Sequence, residues 1–169
     1  GEPGGPFLVV WQSSDQDGSG AGIYARLFDA AGAALSGEIH VSQTTAGDQV
    51  TPAVAWSPAG SFLVVWASSG YGIFARRLLA TTGQPLGGEF QVHVTTAGGQ
   101  LAPRVAAQGT GFYVAWSGLG ASGDTNDIYG RGFAALGTGA GATTGEIRLN
   151  AGVSGNQVQG APRLTQGAQ

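Results

Sequence analysis

An all-β fold assembled from three copies of one four-stranded unit is what this sequence predicts, on three observations. The segment Phe7-Leu8-Val9-Val10-Trp11 returns as Phe62-Leu63-Val64-Val65-Trp66 and again as Phe112-Tyr113-Val114-Ala115-Trp116. Three further signals recur around it in constant order, at the period of about 50 residues that marks repeat architectures. The chain has 32 glycines and no sustained helical apolar period, which argues against long helices.

Each signal reads as a strand: short, rich in Val, Ile, Phe, Tyr and Trp, and bounded by Gly, Ser, Asp or Pro. The first strand of the unit is Gln49-Val50-Thr51-Pro52-Ala53-Val54-Ala55, matched by segments 100–106 and 159–165. Pro52, Pro103 and Pro162 are expected at strand starts, where a missing N–H is tolerated. The second strand is the Leu-Val-Val-Trp run. Its continuous apolar character predicts burial on both faces. The third is Ile23-Tyr24-Ala25-Arg26, with copies at Ile73 to Arg76 and Ile128 to Arg131. The fourth is Glu38-Ile39-His40-Val41, with copies at Glu89 to Val92 and Glu146 to Leu149; its alternation predicts one exposed face. Ala59-Gly60-Ser61, Gly70-Tyr71-Gly72 and Thr82-Gly83-Gln84-Pro85 supply the turns.

A four-stranded meander of this length is the blade of a β-propeller. The expected organisation is one repeat domain over 1–169. Its first blade takes 7–46 plus 160–166, its second 51–97 and its third 102–152. The chain is thus permuted by one strand, and Leu8, Val9 and Val10 are expected to pair with Arg163, Leu164 and Thr165 of the same chain or of a neighbour. Propellers typically have four to eight blades. Three therefore imply self-association, as a closed dimer or open polymer, or further repeats of a longer chain. The alternative is a β-trefoil, against which stand the doubly buried strand and the permuted ends. The start at Gly1 without Met reads as a processed product or a fragment.

Composition narrows the function. Charged residues are 10%, against roughly 25% in typical domains, and the net charge is −3, which gives no reason to expect nucleic acid. No apolar run approaches the ~18 residues of a membrane span. With no cysteine there are no disulfides, thiolate metal sites or cysteine nucleophile.

The repeats resemble those of bacterial secreted and surface proteins, common in myxobacteria. Their tandem units read Pro-x-Val-Ala, Gly-x-x-Leu-Val-Val-Trp, Asp-Ile-Tyr-Gly-x-Arg and Gly-x-x-Leu, with Gln-x-x-Pro between units. The matches here are Thr51 to Trp66, Asp127 to Arg131, Gly83 to Gly87 and Gln100 to Pro103. The resemblance implies a propeller-like fold and an extracellular or cell-surface location, and is specific for repeat type rather than activity.

Candidate chemistry is sparse. Arg26, Arg76 and Arg131 do not define a catalytic site, because one repeated residue serves the repeat; they are expected to pair with Glu38, Glu89 and Glu146 or to cap carbonyls at a blade edge. Asp15 and Asp17 open a loop with the alternating oxygens of a calcium site, and Asp124 and Asp127 occupy the equivalent place in the third copy; the bidentate Glu of a full calcium loop is missing. No other cofactor is implied. His40 and His93 are not aligned in the repeat and have no triad partners. Trp56, Tyr71 and Tyr24 are the aromatics available to stack on a sugar. The function expected from this pattern is a non-enzymatic extracellular scaffold, adhesin or surface assembly unit. A lectin-like carbohydrate-binding module is the alternative, and a glycoside hydrolase fragment the third reading.

Overall fold

The computed structural model describes residues 4–70, 72–96, 98–119 and 126–151. Those residues form strands and turns without helix, in three antiparallel sheets. The first sheet holds β1 (Phe7–Ser14), β2 (Ala21–Phe28) and β3 (Ile39–His40). The second holds β4 (Gln49–Ser57), β5 (Ser61–Ser68), β6 (Gly72–Leu79) and β7 (Phe90–Gln91). The third holds β8 (Gln100–Gln108), β9 (Gly111–Leu119), β10 (Asn126–Phe133) and β11 (Ile147–Arg148).

Each strand pairs with the next, and the register repeats. Trp11 lies opposite Tyr24, Trp66 opposite Phe74 and Trp116 opposite Tyr129. Every described strand pair stays within one repeat, where a β-trefoil joins strands of different repeats into a barrel.

The sheets stack face to face, and the core lies in the two gaps. Strand side chains alternate between faces. In β5, Phe62, Val64 and Trp66 therefore pack on Ile23, Leu27 and Val41 of the first sheet. Leu63, Val65 and Ala67 pack the other way, with Phe112, Val114 and Trp116 of the third. β5 is buried along its whole length, as its continuous apolar run predicts. The face each sheet turns to its predecessor is called its front below, the other its back.

Two expectations need correction. The first copy of the run is not buried on both faces: Phe7 is 36% and Val9 42% exposed, against 2% and 0% for Phe62 and Val64. No described sheet lies in front of β1 to cover them. Pro52 and Pro103 are also not at strand starts. Each lies inside its strand at a bulge, where pairing skips from Val50 to Ala53 and from Leu101 to Arg104. The preceding Thr51 and Ala102 have φ of 54° and 51°, so the bulge turns the chain where the proline cannot donate. The proposed closing strand, with Arg163, Leu164 and Thr165, lies outside the described residues, as does its pairing with Leu8, Val9 and Val10.

Candidate functional site

Polar latches lock each junction between sheets. Glu89, at the entry to β7, accepts the backbone N–H of Gln43 at 2.6 Å and of Thr44 at 3.2 Å, together with the Thr44 hydroxyl. Gln43 Oε1 returns the contact, accepting from Glu89 N at 2.7 Å. One repeat on, Glu146 takes Val94 N at 2.6 Å, Thr95 N and the Thr95 hydroxyl. The arginines follow the same rule. Arg76 donates to Gly87 O in its own sheet and to Val41 O of the first, each at 3.0 Å. Arg131 donates to Thr144 O and to Val92 O. Of the two expected roles for these arginines, the structure selects carbonyl capping. The glutamates bind backbone N–H groups instead. Arg77 adds an unforeseen clamp: buried, it donates to Ala134 O, Gly139 O and Ala140 O of the third sheet. Burial pulls its guanidinium below the ordinary arginine value.

At one end of each sheet a side chain just after the fourth strand extends the ladder. The N–H groups of Ile23, Ile73 and Ile128 donate to Ser42 Oγ, His93 Nδ1 and Asn150 Oδ1 at 3.1, 3.1 and 2.9 Å. These three residues are aligned, each following Val41, Val92 or Leu149. Their residue types differ, which hides the position in the sequence. A carboxylate accompanies two of them. Asp127 accepts from Asn150 at 2.8 Å and lies 3.5 Å from Arg148. Asp17 reaches the matching place from its loop: its Oδ2 lies 2.8 Å from where a Cβ on Gly22, the counterpart of Asp127, would stand, and 3.6 Å from His40 Nε2. Ser42 Oγ shares that same nitrogen at 3.2 Å, so Ser42, His40 and Asp17 do not form a relay through opposite ring nitrogens. The second sheet has no carboxylate here. Gly72 leaves the room that the His93 ring occupies. Burial lowers the His93 pKa, the Ile73 carbonyl and Glu146 opposing it more weakly.

This end carries a cleft of about 510 Å³ between the second and third sheets. Its walls include Ser68, Ser69, Gly70, Gln91, His93 and Gln100. The volume falls in the range of about 300–1,000 Å³ typical of small-molecule sites. Glycines bring backbone to the surface, and Ser68 Oγ is buried without a hydrogen-bond partner among the described residues. Asp48 lies beside it: its carbonyl accepts Ser69 N at 2.8 Å, and its exposed carboxylate accepts Ala21 N at 3.0 Å.

The residues singled out in the sequence do not converge. Trp56 is half-buried against the core between the first two sheets, opposite Phe62. Tyr24 is buried and stacked on His40 at 4.7 Å, and its phenol is raised by burial first, then by Asp17 and Glu38. Tyr71 and Asp124 lie outside the described residues. Asp15 is exposed, with φ of 58°. Asp17 is engaged by Ser19 N at 3.1 Å as well as by His40. Among the described residues no cluster of three or more His, Cys, Asp or Glu side chains forms.

No family model and no curated protein matches this chain. Solved structures match it in fold. The native Bacillus subtilis arabinanase Arb43A does so over 91% of this chain and 58% of its own, with a TM-score of 0.55 and 15% identity. The fold is propeller-like. The GH43 endo-arabinanase from Bacillus licheniformis covers 90% of this chain and 58% of its own, with a TM-score of 0.53 and 16% identity. The chain thus spans 58% of the length of these two structures, and at such identities the likeness is one of fold. It corrects the expectation of a non-enzymatic scaffold, adhesin or surface assembly unit, since both solved propellers are glycoside hydrolases. The expectation fails because it takes repetition as a sign of purely structural use, whereas functional sites are grafted onto folds independently of how regular the fold is. Among the described residues no helix is long and apolar enough to cross a membrane.

Proposed function

We propose that this chain is a three-blade section of an extracellular, carbohydrate-active propeller of glycoside hydrolase type, and that a pentose polysaccharide such as arabinan lies in the cleft between its second and third blades. The observation that carries the reading is the fold likeness to two arabinanases over nine-tenths of the chain. The neighbours are five-bladed and this chain spans 58% of them, close to three blades in five.

The cleft fits a sugar by its chemistry. Backbone groups bared by Gly70, Gly98 and Gly99, the Ser68 hydroxyl and the Gln91 amide offer donors and acceptors to hydroxyl groups. His93 backs this wall, its Nδ1 taking the Ile73 N–H and its Nε2 lying 2.9 Å from the Gln91 amide nitrogen. Hydrolysis of a glycosidic bond uses a pair of carboxyl groups, one acting as acid and one as base or nucleophile. Asp48 turns its carboxylate away, to Ala21 N of the first blade, and the described lining of the cleft includes no carboxylate.

The test is incubation of the chain with linear arabinan while reducing ends and bound polysaccharide are both measured. Release of reducing ends, or retention of the polysaccharide, is the expected result. Absence of both release and binding across arabinan, xylan and galactan would remove the proposal.

A further inference from the structure

The two sealed junctions use one set of contacts, and the first blade presents its half of that set to solvent. At each junction a blade's front offers an arginine and a glutamate to the exit of its predecessor's fourth strand. Arg76 and Glu89 hold Val41 O and the N–H groups of Gln43 and Thr44; Arg131 and Glu146 hold Val92 O and those of Val94 and Thr95. The counterparts in the first blade are Arg26 and Glu38. Both are exposed, where Arg76, Arg131, Glu89 and Glu146 are partly buried. Arg26 keeps the contact within its own blade, donating to Ser36 O at 3.0 Å, the counterpart of Gly87 and Thr144. Glu38 meets only the exposed Gln16 side chain among the described hydrogen bonds.

The apolar surface agrees from both ends. On the front of the first blade Phe7 and Val9 are 36% and 42% exposed, while Phe62, Phe112, Val64 and Val114 at the same repeat positions are at most 2% exposed. On the back of the third blade Leu149 is 45% exposed, while its counterparts Val41 and Val92 are fully buried. Phe7 and Val9 lie on the front of the repeat and Leu149 on its back, so they belong to the two halves of the junction already made twice in this chain.

We infer that the front of the first blade is a docking surface for the back of the third blade of a second copy. In that junction Arg26 donates to Leu149 O, Glu38 accepts the N–H at Ala151, and Phe7 and Val9 cover Leu149. The contact is heterologous. Made twice, it closes a six-bladed ring of two chains, within the four to eight blades that propellers use; made without closure, it runs on as a filament.

Sedimentation equilibrium of the whole chain, from micromolar to about millimolar, tests this. The expected result is a dimer or longer oligomer whose dissociation constant rises about tenfold or more in Arg26→Ala and in Glu38→Ala, the scale of a lost charge-assisted hydrogen bond. Val9→Asp is expected to leave a monomer. All three side chains are exposed, so an unchanged far-ultraviolet circular dichroism spectrum is expected and separates loss of docking from loss of fold. A monomer throughout the range overturns the inference, and so does an oligomer indifferent to all three substitutions. Neither result depends on whether arabinan is bound or cut.

Discussion

Gly72 and His93 share one space: a Cβ on Gly72 would stand 2.1 Å from Cε1 of the His93 ring. Gly72 also has φ of +95°, a conformation that side chains rarely adopt. The ring in turn receives the Ile73 N–H, so one glycine permits the polar end of the second blade. Gly72→Ala is expected to destabilise the chain by at least the ~1–3 kcal/mol of a strained backbone, with the displaced ring adding to it. Chemical denaturation measures this; a loss under about 0.5 kcal/mol would show that the ring has another place to go.

His93 also makes stability depend on pH. Burial holds its folded pKa below the ordinary value, so the unfolded chain takes the proton first as pH falls. Above about pH 6.5 both states are neutral at this group and no penalty applies. Below that, the unfolded state binds more protons and stability declines until the folded pKa is passed. His93→Asn, which keeps an acceptor as Asn150 does, is expected to flatten the difference between melting at pH 7 and pH 5. Parallel curves for parent and variant would contradict the assignment.

Position in the stack, more than residue type, sets the cost of a core change. Val9 and Val64 occupy one repeat position, yet Val64 is fully buried and Val9 is 42% exposed. Val64→Ala is expected to cost about 2–3 kcal/mol, from two lost methyl groups and the cavity they leave. In the monomer Val9→Ala is expected to fall within ~0.5 kcal/mol, the usual range for a surface site. Equal effects would mean that the front of the first blade is covered.

Glu89 is expected to matter through its charge. Its carboxylate accepts from two backbone N–H groups and a hydroxyl of the first blade. Glu89→Gln keeps the shape but halves the acceptors, for an expected loss of about 1–2 kcal/mol. Glu38→Gln in the monomer, with no such partners described, is expected to be silent. Denaturant midpoints of the two variants give the comparison.

The sequence shows the strands because each copy of the repeat carries the same pattern. Leu63, Val64 and Val65 announce a strand with a neighbour on either side, and β5 has both. The same letters at Leu8, Val9 and Val10 carry no sign that one neighbour is missing, since exposure belongs to the stack and not to the strand. The arginines are legible as structural because they repeat. The sequence leaves the arginines two roles, pairing with the glutamates or capping carbonyls; Arg76 gives its hydrogen bonds to carbonyls and meets Glu89 through charge alone, while Glu89 takes backbone N–H groups at a strand exit. The ladder-extending position is hidden because serine, histidine and asparagine share an acceptor atom and nothing else. The cleft is beyond the reach of sequence, because its walls bring strand ends and loops of two repeats together, and the glycines and serines among them fill the chain everywhere.

The central claim is that the cleft between the second and third blades takes a carbohydrate. Its most direct test is an amide nitrogen–proton correlation spectrum recorded during titration with arabino-oligosaccharides. Saturable shifts at Ser69, Gly70, Gly72, Gln91 and Gly98, with Thr110 and Leu136 at the opposite end unmoved, are the predicted result. No shift at millimolar sugar, or shifts confined to the opposite end, would contradict it.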